Sequence, residues 1–343
     1  MHKPTLAITL GDPAGTGAEL AVRASRDDEV RDACQLAFVG RLADLERARR
    51  AIGESTPIRV VDAACGGLHH PDVLVLLDTT QFDATPVRPG VPDAAAGRVA
   101  LAALSAGVDL VTSGAVQGLV TAPVGKKALV EAGFEEGVGQ TAFIQKKLAV
   151  GETAMLLIHG KVRASHLTTH VPLSTVPRAI TEMRTRHILS VTAEGLRDMG
   201  IAEPRMALAG INPHAGEDGV LGVEEERALM PAIRWARANG LRVDGVFPNE
   251  TVWALRDRYD VIVCAYHDAG HVPLRILAGN QGVHLTLGLG FPRGAPLHGT
   301  AYKHAGAGTA DPTAMRNAII EVARIARRGQ HRSLRGAESR CDS

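Results

Sequence analysis

The chain carries little cysteine: Cys34, Cys65, Cys264 and Cys341 are the four in 343 residues, and no two stand in C-x-x-C spacing. That excludes a disulfide framework and a thiolate metal site, and the thiols are expected to be reduced and inert. An excess of one charge is missing as well, with 38 basic residues against 37 acidic. No net field favours nucleic acid or an anionic membrane, so the expected partner is a small molecule. No long apolar run opens the chain. The stretch MHKPTLAITLGDPAG breaks at Gly11, Asp12 and Pro13, far short of a secretory signal or a spanning helix. A soluble, cytoplasmic protein with no membrane contact is the expectation. Internal repeats and low-complexity tracts are absent, and so is a Rossmann G-x-G-x-x-G fingerprint.

What is present is alternation. Apolar β-type runs (TLAITL, DLVTSG or LVTA, AMLLIHG, VRASHLTTH, MALAGI, VIVCAY, VHLTLGL) interleave with helical stretches. The helical candidates are GRLADLERARRAIG, AAGRVALAALSAG, TVPRAITEMRTRHILSVTAEGLRDMG, EEERALMPAIRWARANG and DPTAMRNAIIEVARIARR. This pattern is the signature of an α/β fold, and the length suggests about two domains at roughly 150 residues each. After the last helix, GQHRSLRGAESRCDS lacks apolar periodicity and reads as a disordered, mildly basic tail. Without aromatic residues for base stacking, the tail gives no support to nucleic-acid binding.

Three apolar strands run into histidine, at VRASHLTTH (His170), MALAGINPH (His214) and VIVCAYH (His267). In open α/β sheets ligands bind beyond the carboxyl ends of the strands, so residues far apart in sequence can meet there. Imidazole suits zinc and neighbouring divalent ions, and three protein ligands leave one position open for a substrate. A single strand-end histidine is most often an ordinary loop residue. Three at equivalent positions point to a tri-histidine metal site. His271 and His166 are lesser candidates, the latter on the His170 face if strand alternation continues. His69 and His70 sit in a polar loop and read as solvent-facing. At the other end of the chain GDPAGTGAEL follows the first strand and opens a helix, where Thr16 and Glu19 form a T-x-x-E capping box. Its glycines allow a tight turn with exposed N–H groups, either to cradle a phosphate or simply to join strand to helix.

GDPAGTGAEL and HGTAYKHAGAGTADP (residues 298–312) resemble signatures of the isocitrate and isopropylmalate dehydrogenase superfamily. A closer resemblance covers nearly the whole chain. In order, LVTAPVGKKAL, GQTAF, LTTHVPL, GINPHAGEDG, YHDAGHVPLR, VHLTLGLGFPR and HGTA look like the 4-hydroxythreonine-4-phosphate dehydrogenase family of pyridoxal phosphate biosynthesis. Its catabolic relatives, such as terephthalate dihydrodiol dehydrogenases, share these motifs. The resemblance implies an isocitrate/isopropylmalate dehydrogenase-like two-lobed α/β fold with the active site in the interlobe cleft. It assigns 1–135 and 285–330 to a cofactor-side lobe, 136–284 to a metal, substrate and dimerisation lobe, and 331–343 to the tail. It also implies a homodimer with shared active sites.

By resemblance, His170, His214 and His267 take the family's divalent-metal positions, for Zn, Mg, Mn or Co. Substrate-anion contacts carry over to Gln140, Thr141, Arg275, His284 and Arg293. The sequence departs from the family here: GHTE reads GQTA, HDQG reads HDAG, Arg275 replaces a lysine and His284 an asparagine. Two arginines still suit a carboxylate or phosphate. Cofactor-side positions carry over to Asp12, Gly15, Glu19, His298, Gly299, Thr300, Lys303 and His304. Isocitrate dehydrogenases using the phosphorylated dinucleotide carry a similar H-G-T-A-P-K-Y-A-G loop, and relatives preferring NAD tend to have aspartate at the place of Lys303. The cofactor is therefore NAD or NADP.

The implied reaction is oxidation of a β-hydroxy acid to a β-keto acid that loses carbon dioxide. Asp268 either orients His267 or a metal-bound water, or accepts the hydroxyl proton itself. Lys126, in a T-x-P-x-x-K setting, is the second candidate for proton transfer. The substrate is either a 4-phosphorylated hydroxy acid (4-phosphohydroxythreonine, or a phosphorylated threonate or erythronate) or a cis-dihydrodiol carboxylate of aromatic catabolism. A non-catalytic ligand-binding pseudoenzyme and a tri-histidine hydrolase are the competing classes.

Overall fold

The computed structural model describes residues 3–62, 72–134 and 139–341, so Cys65, His69 and His70 lie outside the described residues. The chain divides into two compact units, Met1–Gly151 with Leu289–Ser343, and Glu152–Gly288. The first unit begins with β1 (Thr5–Thr9), buried at all but its first residue. Such continuous apolar runs belong to parallel strands covered on both faces. There follow α1 (Gly17–Ser25), α2 (Asp28–Ala33), β2 (Gln35–Gly40), α3 (Leu42–Ala51), β3 (Ile58–Val61) and β4 (Leu74–Asp78). Next come α4 (Ala94–Thr112), β5 (Gly118–Thr121), α5 (Lys126–Glu131) and α6 (Gln140–Leu148).

The second unit holds β6 (Ala154–His159), β7 (Val162–His166), α7 (Val176–Ala179), α8 (Glu182–Asp198), β8 (Arg205–Ala209) and α9 (Met230–Ala238). It continues with β9 (Arg242–Phe247), α10 (Asn249–Ala254), β10 (Val261–Cys264), α11 (His267–Ala278) and β11 (Val283–Leu287). The chain then returns to the first unit as β12 (Arg293–Pro296) and α12 (Thr313–Cys341).

Strands of the first unit are all parallel, in the order β3-β4-β2-β1-β5-β12. In the second unit the order is β11-β6-β7-β10-β8-β9. There β11, β6 and β7 alternate in direction, while β7, β10, β8 and β9 run parallel. Helix α4 is apolar and long enough to cross a membrane by composition. It instead supplies Leu104, Val108, Leu110 and Val111 to a core shared with Ala7, Val39 and Leu119. The Asp93 carboxylate caps its start, accepting from Ala96 N at 2.8 Å.

Several sequence readings are corrected. DLVTSG is the C-terminal end of α4 and its exit, leaving LVTA as the strand. The long helix read over 175–200 breaks at Ile180, whose backbone is extended, and restarts where Thr181 Oγ1 accepts from Arg184 N. Residues 139–151, read with the metal lobe, belong to the first unit, because Ile144, Phe143 and Leu148 of α6 pack into its core. Residues 285–288 complete β11 and belong to the second. The backbone stays helical through Cys341, where a disordered tail was read from 331; no proline interrupts it, and the segment is rich in helix-tolerant residues.

Gly97 of α4 faces α5 at a distance only a glycine permits, since a Cβ there would lie 2.0 Å from the Ala128 carbonyl oxygen. Gly97→Ala should therefore destabilise. The helix-propensity gain of about 1 kcal/mol is smaller than the overpacking cost of about 2–3 kcal/mol, because a backbone carbonyl cannot rotate away. Urea unfolding measures the difference, and an unchanged or raised midpoint would contradict this packing.

Candidate active site

At the carboxyl end of β1 the chain turns through Gly11, with φ +72°, into a polar knot. Asp12 is buried, and its carboxylate accepts from Ala14 N (2.9 Å), Gly125 N (3.3 Å) and the Tyr302 hydroxyl (2.7 Å). Burial, and then this bond to Asp12, raises the Tyr302 phenol above its ordinary range. The Thr300 carbonyl takes Thr16 N at 3.0 Å and Thr16 Oγ1 at 3.2 Å. Gly15 makes that approach possible, because a Cβ there would stand 2.8 Å from the same oxygen. Glu19 is also buried, its two oxygens accepting from Gly306 N (2.6 Å) and Gly308 N (2.8 Å). The capping box read from T-x-x-E is thus not formed. Both side chains serve the 300–308 loop instead, because two unpaired N–H groups there compete for the carboxylate.

Asp12, Gly15, Glu19 and Thr300 are consumed in building this loop. On its outer side Gly299, Lys303 and His304 are exposed, while His298 Nδ1 lies 3.0 Å from the Gly299 carbonyl. Lys303 thus stands on the solvent-facing edge of the loop.

Beyond β5 a second feature forms in the same unit. Arg293, on β12, is buried and donates to Thr121 Oγ1 at 2.6 Å and Thr141 Oγ1 at 3.4 Å. Burial lowers its guanidinium to about 10, which leaves it charged at neutral pH. Gln140 Nε2 donates to the Ala122 carbonyl at 3.0 Å, and its buried Oε1 has no hydrogen-bond partner. Thr121 was not singled out from the sequence, although its place at a parallel strand's carboxyl end was the available signal. Lys126 stands exposed at the first position of α5. Arg275 and His284 fall in the second unit, on α11 and β11, where Arg275 Nη2 donates to Asn280 Oδ1 at 2.6 Å.

The histidines follow three adjacent parallel strands, β7, β10 and β8. Pairing persists past the first two: Leu167 N donates to the Cys264 carbonyl and Thr168 N to that of Ala265. This brings the His170 and His267 rings to 5.6 Å between centroids. His267 Nδ1 lies 2.7 Å from Asp268 Oδ1. A carboxylate only accepts, so Nδ1 carries a proton, and in the neutral ring Nε2 is then the nitrogen left to ligate a metal.

His214 does not join them. Glu225 holds the base of its loop by accepting from Ile211 N and Asn212 N, and residues 214–218 all have positive φ. His214 is exposed, 3.7 Å from Glu217 Oε2. Among the described residues no three ligating side chains stand together. The donors at His170 and His267 fit a divalent ion in chemistry and proximity, whereas the third does not in this arrangement.

β7 ends at His166, so strand alternation does not reach His170. His166 and His271 enter a different grouping: His271 stacks on His267, and His166 lies 5.1 Å behind His271. Burial pushes His166 down to about 3 and His271 down to about 4, neighbouring imidazoles adding to both shifts.

Residues 32–322 match the family described as pyridoxal phosphate biosynthetic protein PdxA. A 4-hydroxythreonine-4-phosphate dehydrogenase of Caulobacter vibrioides is 39% identical over 337 residues, 96% of this chain and 99% of the relative. A D-threonate 4-phosphate dehydrogenase of Salmonella typhimurium is 35% identical over 318 residues, 92% of this chain and 97% of the relative. The crystal structure of a 4-hydroxythreonine-4-phosphate dehydrogenase from Klebsiella pneumoniae matches with a TM-score of 0.83 at 33% identity, covering 94% of this chain and 98% of that one. The α/β fold is therefore shared with a 4-hydroxythreonine-4-phosphate dehydrogenase. The chain belongs to the PdxA family.

Because folded His166 stays neutral down to about 3 while an unfolded histidine protonates near 6.5, the unfolded state binds the extra proton between these values. Stability should fall as pH drops below 6.5, by about 2 kcal/mol from this residue at pH 5. In His166→Leu, urea unfolding of metal-free protein should show a pH slope shallower by that amount. An identical slope would refute the assignment.

Proposed function

We propose that the chain is an NAD(P)-dependent dehydrogenase that oxidises a 4-phosphorylated β-hydroxy acid, with loss of carbon dioxide from the β-keto acid formed. Candidates are 4-phosphohydroxythreonine and a 4-phosphorylated threonate or erythronate. The observation that carries this reading is Arg293: a buried guanidinium flanked by two threonine hydroxyls beyond a parallel strand's end is built for a small anion. The two curated relatives named above both take a 4-phosphate, by their names.

Each residue's part follows from its surroundings. Arg293, Thr121 and Thr141 bind the anion. Gln140 Oε1 accepts a hydrogen bond from a substrate hydroxyl or ammonium group. The loop 298–304 holds NAD or NADP, whose chemistry there is hydride acceptance, and Lys303 offers a cation for a 2′-phosphate. His170 and His267, joined by His214 only after a rearrangement of the 213–219 loop, would hold a divalent ion (Zn, Mg, Mn or Co) whose chemistry is Lewis-acid polarisation of the substrate oxygen. Asp268 keeps the proton on His267 Nδ1. Lys126 then remains for proton transfer from the hydroxyl.

A second copy of the chain is proposed as partner. Val272 and Ile276, one turn apart on α11, are exposed, and Val220 and Val223 are exposed near His214; light scattering should give twice the mass of one chain.

Dinucleotide reduction with added divalent metal tests the reaction. A 4-phosphorylated hydroxy acid should be turned over, and Arg293→Met should lower kcat/KM by about 100-fold, the loss of charge-assisted bonds worth about 3 kcal/mol. Turnover of a terephthalate-type cis-dihydrodiol alone would move the protein to aromatic catabolism. Metal retention without hydride transfer to either dinucleotide would make it a binding protein.

A further inference from the structure

His267 is held in place by more than Asp268. It is the first residue of α11, and His271 lies one turn on, where positions i and i+4 share a helix face. Their rings lie 3.6 Å apart between centroids and within 8° of parallel. Aromatic side chains more usually pair at about 4.5–7 Å, offset or edge-to-face, so this is a close face-to-face contact.

His271 is itself fixed on two sides. Its Nδ1 lies 3.2 Å from the His267 carbonyl oxygen, which can only accept, so the ring is tied to the first turn of the helix. Behind it stands the buried His166 ring, 5.1 Å away and tilted by 50°. Gly270 makes room for that ring, since a Cβ at 270 would fall 2.3 Å from His166 Nε2. Pro273 removes the N–H that would have bonded the Ala269 carbonyl, and Trp253 Nε1 donates to that carbonyl at 3.0 Å instead. The turn carrying His271 is thereby anchored to α10.

We propose that His271 is a positioning residue: its ring, wedged between His166 and His267, sets the plane of the His267 imidazole, while Asp268 sets its tautomer. The two constraints are complementary, because a single hydrogen bond at Nδ1 leaves the ring free to rock about that bond, and a parallel neighbour removes this freedom. The consequence for metal binding rests on the reading of His267 as a ligand; the restraint on the ring does not.

The test uses the full chain with His271→Leu, which keeps apolar volume but has no planar face, and His271→Phe, which restores the face. Titration with Co²⁺ should show affinity about 10–100-fold weaker in the leucine variant, the scale of losses when a ligand's outer partner is removed, and close to wild type in the phenylalanine variant. Thermal unfolding midpoints of all three should agree, as a merely structural role would not allow. Equal Co²⁺ affinity in the leucine variant, or equal weakening in both, would overturn the proposal. If the wild type binds no Co²⁺, the metal reading fails and nitrogen NMR of His267 decides the proposal. The leucine variant should then show broadened His267 ring signals beside sharp ones in wild type and His271→Phe; sharp signals in all three would overturn it.

Discussion

Parallel strands covered on both faces must be apolar along their length, and that constraint governs where chemistry can sit in this chain. β1, β5 and β10 are buried almost end to end, so polar side chains with access to a substrate are confined to the strand ends and the turns beyond them. Polar groups collect where the strands stop and backbone amides lose their ladder partners. Asp12 follows β1, Thr121 closes β5, and His170, His267 and His214 follow β7, β10 and β8 in turn. The same rule thus accounts for the loop-building carboxylate, the threonine hydroxyl beside Arg293 and the histidines.

Buried carboxylates in the first unit hold a loop rather than a ligand. Asp12 and Glu19 between them accept five hydrogen bonds, four from backbone amides and one from Tyr302. A buried charge is tolerated only when so paired, and removal of any donor would leave the carboxylate exposed to its desolvation cost. The 298–308 loop is thereby held in shape from within the first unit, which would lower the entropy cost of binding the dinucleotide proposed for it.

Much of this organisation was legible in the residues. The α/β class followed from alternation, and the histidines from their common place after apolar runs. Other features depended on distant partners. RGAP of β12 is not among the strands read from the sequence and is a strand through its pairing with Leu119 and Val120. Thr16 and Glu19 have capping-box spacing, yet loop amides nearly 290 residues away outcompete the helix for them. His271 looked secondary because nothing in the sequence states that Gly270 opens space for His166. The left-handed run at residues 214–218 was equally invisible, since only Gly216 among them favours positive φ.

The most direct test of the account is anomalous diffraction at the cobalt edge from crystals of the full chain grown with Co²⁺. One strong peak is expected at bonding distance from His170 and His267, with the 213–219 loop rearranged so that His214 completes the set. No peak at these histidines, or a peak bound by other residues, would contradict it.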